Sequence, residues 1–96
     1  MADYTLTERA EAELFEIAVY GYQHFGIRQA EAYAGALDNA FQLLAVNPRM
    51  GRAADVIGVG VRRHECGSHV ILYEPVPDGV LILAVVHSKS VRRLKL

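Results

Sequence analysis

Two hydrophobic periods divide this chain. From Glu8 onward, Ala10, Leu14, Ile17, Ala18, Gly21 and Phe25 recur at helical intervals, the spacing that one buried face of an α-helix requires. Thr7 is placed to cap this helix, because its hydroxyl can accept from an early backbone N–H, and Glu8 and Glu11 suit the positive end of the helix dipole. Gly26 ends it. A second helix is predicted from Ile27 to Val46, with Ala30, Ala34, Leu37, Phe41 and Leu44 facing inward. Pro48 forbids its continuation, since the ring biases Asn47 away from helical angles. The short link at Gly26 makes the pair an antiparallel αα-hairpin. Ahead of the hairpin, Tyr4 and Leu6 alternate with polar neighbours in a short first strand.

Beyond Pro48 the period falls to two and β-branched residues take over. Val59 and Val61 alternate with Gly60 and Arg62, and His69, Ile71 and Tyr73 with Val70, Leu72 and Glu74, so strands are predicted there. Cys66-Gly67-Ser68 closes one turn and Pro77-Asp78-Gly79 the next, proline presetting one turn angle and glycine accepting a positive φ. The last strand, Val80 to Val86, is apolar on both faces and belongs inside the sheet. The expectation is an α+β fold of order β-α-α-β-β-β, the helical hairpin packed on one face of a mainly antiparallel sheet.

Composition narrows the class. Ninety-six residues at 52% hydrophobic content fit one domain, 1–96, with one core. The longest apolar run is far shorter than the roughly 20 residues of a membrane helix. Met1 to Tyr4 contains no basic stretch leading into an apolar one, so a cytoplasmic protein without a membrane partner is expected. A lone Cys66 beside Gly67 reads as a turn residue, not as a nucleophile or part of a cysteine metal site. The net charge of −1 conceals an asymmetry: residues 1–46 sum to −5 and residues 47–96 to +4. The basic half points to an anionic partner, nucleic acid or an acidic protein surface, with a solvated strand face as the plain alternative.

The order of short motifs resembles the ParE toxins of type II toxin–antitoxin systems, within the wider RelE/ParE group. It runs through Tyr4-Thr5-Leu6-Thr7, Leu14, Ile17 and Tyr20, then Gly26 with Gln29-Ala30 and Tyr33. It continues through Pro48, Gly51-Arg52, Gly60-Val61-Arg62-Arg63, Gly67, His69 to Tyr73, and Val85-Val86-His87. The resemblance implies a small cytosolic toxin that inhibits DNA gyrase and needs no cofactor. It also implies a cognate ParD-like antitoxin that neutralises the toxin and alone reads operator DNA. Two alternatives stand beside it: a RelE-like ribosome-dependent mRNA endoribonuclease, and a degenerate toxin kept as an antitoxin-binding or autoregulatory subunit.

Cleaving RNA needs a general base, a general acid and cations to hold the charge on phosphorus. The strands offer Arg62 and Arg63, but no lysine before Lys89 and no tyrosine after Tyr73. His64, His69 and His87 are candidate substitutes, being titratable near neutrality. The ribonuclease reading requires one of them to cluster with Arg62 or Arg63. His69, on a face with Ile71 and Tyr73, reads as a half-buried ring bonded to backbone, and His87 as an exposed one. No histidine pair has metal-ligand spacing.

Two binding surfaces are predicted. Phe15, Val19 and Tyr22 form a second apolar row on the first helix, about 100° round from the core stripe; it suits an amphipathic antitoxin segment or, alternatively, packing inside the fold. Arg62, Arg63, His87, Arg92, Arg93 and Lys95 are the candidate target-binding residues, guanidinium forks suiting phosphate and carboxylate alike. The tail, with Val91, Leu94 and Leu96 among its cations, is expected to pack as an amphipathic turn, to reach towards the target, or to fray.

Overall fold

The computed structural model describes residues 2–96, so the reading of Met1 lies outside it. Thr7 Oγ1 accepts from the Ala10 N–H at 3.0 Å and opens α1 (Glu8–Phe25). Gly26, at φ 83°, turns the chain into α2 (Ile27–Val46). Around this hairpin lie β1 (Asp3–Leu6), β2 (Arg52–Ala53), β3 (Arg62–Cys66), β4 (His69–Val76) and β5 (Gly79–His87), followed by a 3-10 helix, Ser88–Arg93. The architecture is the predicted α+β hairpin on a sheet, with the two-residue β2 added.

The sheet order is β1-β5-β4-β3-β2. β1 runs parallel to β5 and all other neighbours are antiparallel. A register shift makes Leu72 pair with Ala84 while Tyr73 pairs with Ile82, leaving Leu83 as an extra residue in β5. Such a bulge reverses which face each later side chain serves. Val80 and Ile82 accordingly pack with the helices, Ala84 and Val86 on the opposite side, and Val85 with the helices again. Thr7 sits at this bulge, its N–H donating to the Ile82 carbonyl at 3.1 Å and its hydroxyl to the Leu83 carbonyl at 2.8 Å. The helix cap and the bulge are thus one joint.

Both sheet faces are covered. Leu37, Phe41 and Leu44 of α2 pack on Ile71, Tyr73 and Ile82. On the opposite face Val70, Leu72 and Val86 lie beneath Ile57, Val61 and Val91. Tyr4 Oη of β1 donates to Asp38 of α2, and that bond, ahead of burial, pushes the phenol up to about 12.

Three expectations need correction. The strand predicted through Val59 and Val61 begins only at Arg62. Gly60 has φ 81°, its N–H donates to Asp55 Oδ1 at 3.0 Å, and the Val61 N–H turns back to Gly58, so residues 54–61 fold as a loop with Val59 in solvent. Phe25, predicted to face inward, is 55% exposed, and Ala34 is exposed as well. Thr7 meets Leu83, Glu13 takes the Val85 N–H, and on the returning helix Tyr33 meets His69, the partner of His87. At the hairpin tip Phe25 instead meets the rings of Tyr20 and His24 on its own helix. The tail takes the first of its three predicted forms, with Val91 buried and Leu94 half-buried.

Candidate functional site

The candidate residues divide between the two sheet faces. Directly opposed residues on antiparallel strands share a face. Arg62 opposes Tyr73 and shares the helix side, whereas Arg63 opposes Leu72 and lies on the other.

On the helix side, Tyr73 Oη donates to the Pro48 carbonyl at 2.7 Å and accepts the Gly51 N–H at 2.9 Å. Arg62 donates to the Gly51 carbonyl at 2.6 Å and to the Arg49 carbonyl at 3.1 Å. Together they fasten the loop after α2. Gly51 is required by that closeness, since a Cβ there would stand 2.5 Å from Tyr73 Oη.

Farther along the same side, Tyr33 Oη lies 2.6 Å from His69 Nδ1, and the His69 and His87 rings are 5.7 Å apart. His69 is half-buried as predicted, but its partner is a tyrosine hydroxyl and not backbone. Its burial, and secondarily the facing His87, hold it below its usual 6.5. His87 is exposed and its Nδ1 accepts the Lys89 N–H at 3.1 Å. Burial pushes the Cys66 thiol up, which withholds thiolate.

These rings close one end of an open groove of about 1150 Å³, which also meets Leu14, Ile17, Gly21 and Leu37, with Glu13, Glu16 and Asp38 along it. Phe15, Val19 and Tyr22 point elsewhere, into solvent on α1, at 70%, 37% and 49% exposure.

The opposite face carries the cations. Arg52 of β2 pairs directly with Arg63 of β3. Both reach Glu65, Arg52 in a close pair and Arg63 at 3.4 Å. Arg92, from the 3-10 helix, lines the same hollow over Ala54, Ile57 and Val91. Lys95 Nζ donates to the Val56 carbonyl at 3.2 Å and the Leu96 N–H to Ile57 at 2.7 Å, tying the tail to that loop. The structure therefore brings Arg63 and Arg92 together, adds Arg52, and sets Arg62 and His87 on the other side.

A model of the ParE toxin family, described as ParE toxin of type II toxin-antitoxin system, parDE, matches residues 4–92. The chain belongs to the ParE toxin family. It is 38% identical over 87 residues to Toxin ParE1 of Mycobacterium tuberculosis, covering 90% of this chain and 89% of that one. It is 36% identical to Toxin ParE1 of Caulobacter vibrioides, covering 100% of this chain and 99% of that one. Its fold is similar to a solved chain of the chromosomal ParDE TA system from P. aeruginosa, with TM-score 0.76 and 20% identity over 91% of this chain and 96% of that one. Within this ParE-family chain, Tyr33, Arg52 and Tyr73 are the site residues that sequence reasoning passed over. Arg52 carried one signal, a place in the Gly-Arg pair after Pro48. Tyr73 read as a member of an alternating strand, and Tyr33 only as part of the motif that opens the second helix.

Proposed function

We propose that this ParE-family toxin acts in the cytoplasm by binding and inhibiting DNA gyrase without catalysing a reaction, and that a cognate ParD-like antitoxin neutralises it. One observation carries this reading: two exposed surfaces of contrasting chemistry lie on different sides of the molecule. The hairpin side presents an exposed apolar row on α1, and the opposite face presents arginines. Two such surfaces suit a protein with two macromolecular partners.

The antitoxin takes the row Phe15, Val19 and Tyr22, laying an amphipathic segment along α1. Gyrase meets Arg63, Arg92, Arg93 and Lys95, joined by Arg52. Arg62 serves this surface indirectly by fastening the loop that leads into Arg52, and His87 stands outside it. Non-catalytic action is supported by where the arginines are engaged: Arg62 on backbone carbonyls, Arg63 on Glu65, with His69 and His87 grouped with Tyr33 instead. His69 and His87 thus stand apart from the arginines, and His64, which shares the helix side with Arg62, sits beside a guanidinium already engaged by the Gly51 and Arg49 carbonyls, an arrangement that does not favour RNA cleavage. Operator DNA is reached through the antitoxin.

The test is supercoiling by purified gyrase with added toxin, beside cleavage of ribosome-bound mRNA. The expected result is inhibition of supercoiling, relieved by antitoxin, with mRNA intact. Cleaved mRNA with unaffected gyrase overturns the proposal.

A further inference from the structure

We infer that the hollow among Arg52, Arg63 and Arg92 is a phosphate-binding site that takes the backbone of duplex DNA. This deepens the reading of that face as the target surface: the toxin grips DNA as well as the enzyme acting on it.

The inference rests on unmet charge. Arg52 and Arg63 are directly opposed in an antiparallel pair and share a face. Like charges so placed destabilise a sheet. One carboxylate, Glu65, is shared between both guanidinium groups. Among the described residues Arg63 Nε is buried without a hydrogen-bond partner, although a guanidinium carries five donors in a fixed fork. Arg92 adds a third cation to the rim of a hollow of about 350 Å³. An anion seated there relieves the opposed pair.

A chain of phosphates fits better than a protein carboxylate. One more carboxylate would repeat what Glu65 already does. Lys95, exposed and bonded to the Val56 carbonyl at the rim, extends the positive surface past the hollow and suits a ligand whose charge repeats along its length. Val56, 82% exposed at the rim, offers sugars an apolar contact. The arrangement is preformed, because Lys95 and Leu96 bind the tail to the loop at Val56 and Ile57. Contacts of this kind position DNA without reading its sequence.

Fluorescence anisotropy of a labelled random-sequence duplex with the free toxin tests this between about 50 and 200 mM salt. Arg52→Gln, Arg63→Gln and Arg92→Gln combined should weaken binding about tenfold or more and lower the slope of log K against log salt by about 2 to 3, one contact contributing about 0.9. Arg92→Gln alone, at an exposed position, should remove about one third of that slope change. Glu65→Gln, which removes the competing carboxylate, should tighten binding several-fold, a gain that misfolding would not produce. Duplex binding that the triple variant leaves unchanged overturns the inference. So does binding of a polyglutamate peptide or inorganic phosphate at these arginines with no affinity for duplex. Gyrase inhibition that survives in a toxin without affinity for DNA overturns this inference alone. DNA binding by a toxin that leaves gyrase active overturns the gyrase proposal alone.

Discussion

Arg62 and Arg63 are neighbours in β3, yet their surroundings differ sharply. Arg62 faces the helices, where its donors end on the Gly51 and Arg49 carbonyls and Tyr73 closes the same loop from beneath. Arg63 faces away, opposite a second arginine, with, among the described residues, one carboxylate for both and an unpartnered Nε. On the helix side, polar groups are paired within the fold and contribute to its stability. On the opposite side, cations exceed their internal partners and remain available to something outside. One strand serves both purposes because alternate side chains point to opposite faces.

The contrast implies a ranking of stability effects, with the helix side dominant. Leu44→Ala removes a fully buried α2 side chain from the larger core and should cost about 2–5 kcal/mol in urea unfolding. A loss well under 1 kcal/mol would show that α2 does not anchor the fold. Tyr73→Phe leaves the Pro48 carbonyl and the Gly51 N–H unpaired, for about 1–3 kcal/mol, and should raise amide exchange in the loop at Gly51. Unchanged exchange there would detach Tyr73 from loop fastening. Thr7→Ala deletes a helix cap and the hydroxyl bond to the bulge, for about 1–2 kcal/mol. Arg92→Gln, on the cationic side, should stay within about 0.5 kcal/mol of the parent.

The smallest effect concerns pH. His69 is held below its usual 6.5 by burial and by His87, so the folded state favours the neutral ring. The unfolded chain then binds the proton more readily. Stability associated with His69 is complete above 6.5 and declines as pH falls from there towards the lowered folded value. Urea midpoints measured across mildly acidic pH should fall in the parent and flatten in His69→Gln. Equal slopes in the two proteins would remove His69 from the acid response.

The helical hairpin was legible because its signals are local: a 3.6-residue period, Thr7 as cap, Gly26 as break and Pro48 as stop. The turn at Gly67 and the extent of β5 were legible for the same reason. The face served by each strand residue was not, because it depends on pairing between distant segments. The bulge at Leu83, which returns Val85 to the helix side, is fixed by Thr7, far away in sequence. The juxtaposition of Arg52 with Arg63 likewise exists only through β2, a strand of two residues with no periodicity to detect. Val59 misled by its β-branched type, where Gly60 at a positive φ and the Asp55 side chain determine a loop. Phe25 misled because periodicity shows which way a helix faces, not whether anything lies beneath it.

The central claim is that the two sides carry separate functions, and titration of gyrase supercoiling with paired variants tests it most directly. Phe15→Asp with Tyr22→Asp alters the exposed row on α1, and Arg52→Gln with Arg92→Gln alters the opposite face. The account predicts that the first variant inhibits gyrase like the parent and is no longer relieved by antitoxin, while the second loses inhibition and still binds antitoxin. Loss of inhibition in the first variant with full inhibition in the second would contradict it.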